Sequence, residues 1–475
     1  MIEGFLRDET IAKDGLFKVF FGPVPLVIVT SAEAASPLLK SKTLPKSFIY
    51  KYLDMAAIGL ANLNGDKWKY HRKLLTPAFD YKMIQELPSI LTSNGHSLER
   101  ELERNVMESG TIQNMGALMS LYALRVLLES AVGLNDETMS DILQKNGSDV
   151  IEKLEATFDE SANILIERML LPWNYFDSIF KMTKLGRRMV KLLGFMTGLV
   201  QQVLDRRKQD LAEGKSDPNH NDNDISSSNN NRKKKTTFID ILLKEQESNP
   251  SQFTQQDVDG ELRTFMAAGH ETTATTLTWF LFYVGHHPDV MRRIQEEIDS
   301  IYEQARGEGR GEGQEISLND LRNMKYLEAA INESLRLTAS VPMFSRTADT
   351  DITINDKYTI PKNSVLVIYP YFIHRNPNIW QDPGTYDPDR FYLQNRHIPH
   401  SFIPFSAGHR VCIGQKYAML SMLGITSVIF RKFNIQSLNP MDQVSGSMNI
   451  SFRPDQILKL RIERRCLDSS IHSPA

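Results

Sequence analysis

The sequence predicts a mainly α-helical protein with small β-sheets, folded as one large domain over 1–475, and three observations carry that expectation. Apolar residues recur at three- and four-residue spacing through 66–211, 238–302, 318–337 and 415–433, the period of helices buried on one side. Short alternating runs with Gly, Pro and Asn turns stand only near the two ends, at 16–30 and 342–370. Two polar inserts interrupt the helical part without separating self-sufficient patterns, so the domain is not divided.

The elements follow in order. Segments 16–21 and 26–30 read as strands around a turn at Gly22, Pro23, Val24 and Pro25. Helical spacing then runs to about 211 and is plainest at Met115–Val132. Segment 215–235 has one apolar residue, Ile225, and no period, which predicts a disordered surface loop; a linker has the same composition. A second polar break falls at 305–314. Segment 342–370 alternates, with turns at Asn355-Asp356 and Pro361-Lys362-Asn363, and predicts a small antiparallel sheet. A Pro- and Asp-rich meander covers 377–404, a helix starts at Gln415, and 467–475 is a polar tail.

Composition narrows the function. A formal charge of −3 gives no electrostatic reason to expect nucleic acid. Two cysteines, Cys412 and Cys466, exclude a disulfide framework. No stretch reaches the roughly 18 consecutive apolar residues of a spanning helix, and 1–20 mixes charges with apolar positions, unlike a leader or anchor.

The most informative segment holds Phe405, Gly408, Arg410, Cys412 and Gly414 just before the helix at Gln415. Glycine permits positive φ and close backbone approach. The first amides of the following helix favour a thiolate, and Arg410 adds positive charge two residues away. A buried core cysteine is the plain alternative. Elsewhere, Glu333 and Arg336 are i, i+3 neighbours, and Trp68 and Arg72 share a helical face at i, i+4. Ala268 to Thr273 places glycine and consecutive threonines inside an apolar helix, where a local distortion and a proton path are expected beside Glu271 and Thr272; a Thr-rich packing face is the alternative.

The segment Phe405 to Gly414 resembles the haem-binding signature F-x-x-G-x-R-x-C-x-G of the cytochrome P-450 family, with all five fixed positions matched. Ala268 to Thr273, Glu333 to Arg336, Pro388 to Phe391 and Trp68 to Arg72 are similar to further motifs of that family, in its order. The resemblance implies the cytochrome P-450 fold and haem b on Cys412, whose thiolate favours O–O cleavage. It implies that Glu271 feeds protons and Thr272 hydrogen-bonds dioxygen. Trp68, Arg72, Arg346 and Arg410 would hold the haem propionates, and Glu333, Arg336 and Arg390 would form a structural trio, with Asp389 standing where Glu is commoner. Segment 66–79 and Gly269 to Thr273 look like family 4, as in insects, whose helix carries a glutamate that can esterify haem; Ala268 stands there, so no such link is expected.

The implied activity is a monooxygenase hydroxylating a lipophilic substrate, such as a fatty acid, terpenoid, hormone or xenobiotic. Its pocket would involve 60–64, 341–344 and 448–452. The implied partners are NADPH–cytochrome P-450 reductase, docking near Lys67, Lys69, Lys73 and Lys416, and cytochrome b5 as a further candidate. A monomer held peripherally on the cytoplasmic face of the endoplasmic reticulum is expected, through the amphipathic segment 168–180; a soluble form is the alternative, since the family's usual anchor is missing ahead of Met1. The rival readings are a thiolate-haem enzyme that rearranges peroxides and a truncated, non-catalytic haem binder.

Overall fold

The computed structural model describes residues 14–21, 24–53, 59–134, 138, 141–142, 145–146, 150–213, 237–310, 316–393, 398–448 and 450–466. The expected loop 215–235 and the tail 467–475 lie outside them.

Strands β1 (Leu16–Phe21) and β2 (Val24–Val29) pair antiparallel, and helix α1 (Ala32–Lys40) follows, its N-terminus capped by the Ser31 hydroxyl. β2 begins two residues earlier than the turn residues suggest, with Pro25 inside it. Its other neighbour pairs only from Leu26 onward, so the missing N–H of Pro25 costs no ladder bond. Helices α2 (Gly65–Pro77) and α3 (Met83–Glu108) are joined by a π-helical turn at Ala78–Lys82. After strand β3 (Thr111–Ile112) come α4 (Met115–Val132), α5 (Val150–Leu170), α6 (Lys184–Ala212) and α7 (Phe238–Ser248).

Helix α8 (Gln255–Val284) is the spine of the domain: its first residues are exposed, and every residue from Thr273 to Val284 is buried. Its closest neighbour is α4: a Cβ on Gly269 would lie 2.8 Å from Leu127, so glycine lets the two axes approach. α4 is also the one described helix long and apolar enough to cross a membrane, and 67% of that stretch is buried inside the fold. Helices α9 (Pro288–Gly307) and α10 (Lys325–Leu337) follow. α9 runs into the expected 305–314 break before turning at Glu308, and 311–315 lies outside the described residues.

Strands β4 (Phe344–Thr347), β5 (Ile352–Ile354), β6 (Tyr358–Ile360) and β7 (Val365–Ile368) fill 344–368. The β5–β6 hairpin turns through Asn355 and Asp356 at φ 53 and 52, the left-handed pair that the sequence signals. The sheet is not purely antiparallel. β7 pairs parallel with β2, giving the order β1-β2-β7-β4 and merging the two ends of the chain in one sheet. Helix α11 (Gln415–Lys432) leads to strands β8 (Phe433–Ser437), β9 (Gly446–Met448), β10 (Phe452–Pro454) and β11 (Leu460–Arg464). One apolar core joins α3, α4, α8, α9, α10 and α11, and a smaller one lies under the mixed sheet.

Candidate active site

The cysteine loop is shaped by its own backbone. The Cys412 amide donates to Phe405 O at 2.9 Å, and Ser406 and Gly408 take φ of 61 and 70. A Cβ on Gly408 would stand 2.0 Å from Leu39 O, so only glycine fits against α1. Gly414 differs: its φ is −89, and a Cβ there would make ordinary contacts with Phe79 and the Cys412 sulfur. Its amide hydrogen-bonds that sulfur.

Cys412 lies deep among protein atoms yet keeps accessible surface, which makes it the wall of an interior space. Burial pushes its thiol up, opposed by the Gly414 amide and by the charges of Arg72 and Lys46. The expectation that Arg410 supplies the nearby charge is corrected here. Its guanidinium turns away, donating to Leu63 O and Asn64 Oδ1 at 2.9 Å each, and sits 3.7 Å from the Trp68 ring centroid. Arg72 donates to Val411 O at 2.9 Å, beside the cysteine.

Four cations converge at this place. Burial lowers Arg410 to about 10, with Arg346 and Arg72 adding like charge. Burial also lowers Arg346 and Lys46. Among the described residues none of Lys46, Arg72, Arg346 and Arg410 forms an ion pair with a carboxylate, and Arg410 Nε is buried without a partner. Buried charges are ordinarily paired, so the arrangement fits a dianionic group such as the two propionates of haem, with Cys412 within reach of a metal.

Glu271 and Thr272 are placed differently from one another. α8 stays α-helical through Ala268 to Thr273, so the expected local distortion is absent. The Thr272 hydroxyl donates to Ala268 O at 2.7 Å, satisfying it within the helix. Ala268 is exposed and Thr272 half-buried while Phe265, Met266, His270, Glu271 and Thr273 around them are buried, which turns this stripe toward an interior space as well. The Glu271 carboxylate points elsewhere: both its oxygens take the Arg453 guanidinium, and the Ser451 hydroxyl donates to it at 2.6 Å. Burial raises its pKa and this partner more than reverses that, holding the carboxyl below its ordinary range. Next to it, His270 bonds Ser120 Oγ at 2.6 Å, and burial lowers the imidazole to about 4.

Glu333 and Arg336 meet in a fully buried bidentate pair at 2.7 and 2.8 Å. Arg336 also donates to the carbonyls of His374, Pro383 and Thr385, and Arg390 Nε lies 3.3 Å from Glu333. The trio ties α10 to the meander. Asp389 accepts from both Arg293 terminal nitrogens at 2.9 and 2.8 Å, a pairing that suits the shorter acid. Of the lysines expected at a docking face, Lys67, Lys69 and Lys416 pair with Asp257, Asp66 and Asp80 at 2.6, 2.9 and 3.0 Å, while Lys73 is exposed. Sequence reasoning missed Lys46, Tyr50 and Arg453, since nothing local marks residues that arrive from distant loops, and it named Asn64 and Ser451 only as parts of the pocket segments 60–64 and 448–452.

The family model of cytochrome P450 matches residues 11–458. The chain is 31% identical to mouse cytochrome P450 4V2 over 461 residues, 95% of this chain and 82% of that protein. It is 31% identical to cytochrome P450 4c21 of Blattella germanica, covering 94% and 85%. The figure is also 31% for cytochrome P450 4c3 of Drosophila melanogaster, covering 95% and 82%.

Proposed function

We propose a division of labour among these residues from one premise: the chain belongs to the cytochrome P450 family, whose members are monooxygenases that bind haem b, take electrons from NADPH through a reductase and hydroxylate lipophilic substrates. Cys412 would hold the haem iron, Trp68, Arg72, Arg346 and Arg410 would hold the propionates, and Phe405, Gly408 and Gly414 shape the loop. The haem supplies dioxygen activation when bound. Glu333, Arg336 and Arg390 keep the meander and loop against α10. Thr272 lines the distal side, and Glu271, once released from Arg453, brings the proton. The observation that supports this reading is the accessible thiol beside four cations without a carboxylate.

The test is the carbon-monoxide difference spectrum of the reduced protein. It should show the thiolate-ligated band, and Cys412→Ser should lose it; a variant that keeps the band sinks the assignment. Turnover of a lipid with NADPH and a reductase, and none of a hydroperoxide alone, separates hydroxylation from peroxide rearrangement. Fatty acids lead the substrate classes to screen by binding spectra, with terpenoids, hormones and xenobiotics behind them.

Further parts of the reading concern partners and place. A monomer works on the cytoplasmic face of the endoplasmic reticulum and contacts the bilayer peripherally. Leu170, Trp173, Phe176 and Met182 support this, each exposed by 58% or more around a corner whose Arg168 and Phe180 are fully buried. Replacing Trp173, Phe176 and Met182 by Ser should lower binding to vesicles; unchanged binding ends the assignment of that corner. The reductase docks near Lys67, Lys69, Lys73 and Lys416, with cytochrome b5 as a second donor at the same face, and charge reversal at Lys69, Lys73 and Lys416 should slow reductase-supported turnover. The chain works as a single domain over 1–475.

A further inference from the structure

Two segments from distant parts of the chain meet helix α8 at Glu271 and Thr272, and one serine joins them. The first runs from the end of α10 to β4 and carries Ser340; the second is 451–453, leading into β10. Ser451 and Arg453 hold the Glu271 carboxylate. Phe452 between them bonds the other way: its amide donates to Ser340 O at 2.9 Å. Its own carbonyl accepts from Trp279 Nε1 at 2.8 Å, two turns further along α8. Ser340, Ser451 and Phe452 are all buried.

The Ser340 side chain reaches Thr272. Its Oγ lies 3.1 Å from Thr272 O and 2.5 Å from Thr276 Oγ1, and Thr276 Oγ1 lies 2.8 Å from Thr272 O. Two hydroxyl protons therefore serve three contacts. Either Thr276 donates to the carbonyl and Ser340 to Thr276, or Ser340 donates to the carbonyl and Thr276 to Ser340. In both arrangements the Thr272 carbonyl has a hydroxyl partner besides the helix ladder, which occupies both its lone pairs. Thr272 is thus held twice, its hydroxyl by Ala268 O and its carbonyl by this pair. Helices distort where water or a side chain inserts into the ladder, and here the carbonyl that would have to let go is already engaged.

We propose that Ser340 is a positioning residue for the Glu271–Thr272 pair. Through Thr272 O and Thr276 it fixes the turn of α8 that presents the Thr272 hydroxyl, and through its own carbonyl it carries the 451–453 segment that holds Glu271. This rests on the roles given above to Glu271 and Thr272. Ser340 stands one residue ahead of 341–344, and Ser451 and Phe452 belong to 448–452, two stretches expected to line the pocket. One buried side chain therefore ties two pocket walls to both members of the pair, whose placement within a fraction of an ångström decides how well they act.

The experiment uses the holoenzyme as wild type, Ser340→Ala, Thr272→Ala and the double variant. Amide hydrogen exchange over 271–277, read by mass spectrometry, should quicken roughly 5-fold in Ser340→Ala, as expected for one buried hydrogen bond lost. Exchange over 115–132 should stay as in the wild type. Hydrogen peroxide formed per NADPH is then measured with a reductase and dodecanoic acid. Ser340→Ala should raise that share roughly 2- to 5-fold while the reduced, carbon-monoxide-bound band keeps its wild-type position. Adding Ser340→Ala to Thr272→Ala should raise it no further, because the serine acts through the threonine. Unchanged exchange over 271–277 overturns the proposal, and so do increments that simply add in the double variant. A raised peroxide share in Thr272→Ala beside a wild-type share in Ser340→Ala sinks Ser340 alone. No rise in Thr272→Ala sinks the role of Thr272 itself, and the serine's part in the reaction with it.

Discussion

The cationic cluster of Lys46, Arg72, Arg346 and Arg410, of which Arg346 is buried and the others half-buried, and the acidic network around the buried Glu271 treat charge in opposite ways. The cations face one another with no carboxylate among the described residues, and carbonyl oxygens, an amide and a phenol are their partners. Glu271 has a complete counter-ion in Arg453, which in turn reaches Asp159 at 3.2 Å. Side-chain exposure rises outward along that chain, from 10% at Glu271 through 18% at Arg453 to 46% at Asp159. Glu155 stands beside it, raised by burial, and hydrogen-bonds the Ser120 that holds His270. The first cluster is incomplete without a ligand; the second is complete without one and has to open before its acid can act.

The largest expected effect follows from breaking the paired cluster. Arg453→Met leaves Glu271 as an uncompensated buried charge, a loss of about 3–5 kcal/mol in urea unfolding of apoprotein and holoprotein alike. Arg453→Met with Glu271→Gln should recover most of it, because the double variant removes both charges. A single variant as stable as wild type would show that Arg453 holds nothing.

A smaller effect appears with pH. His270 is neutral in the fold because burial, with Arg453 adding to it against Glu271, lowers it from 6.5 to about 4. The unfolded chain therefore binds the extra proton first. This contribution is fully present above pH 6.5 and is lost as pH falls toward about 4, at about 1.4 kcal/mol per pH unit. His374, lowered to about 3 by burial, slopes the same way. Glu271 itself has a depressed carboxyl, so its share is lost only at lower pH, as the fold's carboxylate is protonated. His270→Gln should flatten the pH 4–6.5 slope of the unfolding free energy by one proton; an unchanged slope would place the imidazole's proton elsewhere.

The two clusters also differ in how much of them the sequence discloses. Cys412, Arg410, Arg72 and Glu333–Arg336 could be read because each lies in a local pattern whose spacing matches a helix turn or a tight loop. Helices such as Met115–Val132, and the Asn355-Asp356 hairpin turn, were legible for the same reason. What escaped depends on distant segments meeting. The parallel pairing of β2 with β7 joins Leu26 to Val365, and no local period encodes it. Arg453 meets Glu271 across 182 residues, and Lys46 reaches Arg410 only through Asn64. The expected distortion at Thr272 failed for a related reason: close packing of Gly269 on Leu127 holds the helix regular where propensity alone favours a break.

Removing one cation from the unpaired cluster should have opposite signs in the two forms of the protein, and no change to the Arg453 pair can do that. In the apoprotein Arg346 adds repulsion to Lys46 and Arg410 and is itself lowered by burial. Arg346→Met keeps the stem and drops the charge, so the apoprotein should become more stable by on the order of 1 kcal/mol at low salt, less so at high salt. The holoprotein should move the other way, because a propionate loses its partner. The apo and holo unfolding curves would then both shift down by the same amount on replacing Arg453 but approach one another on replacing Arg346. If Arg346→Met destabilises both forms equally, its charge is compensated in the apoprotein after all, and the contrast between the two clusters falls.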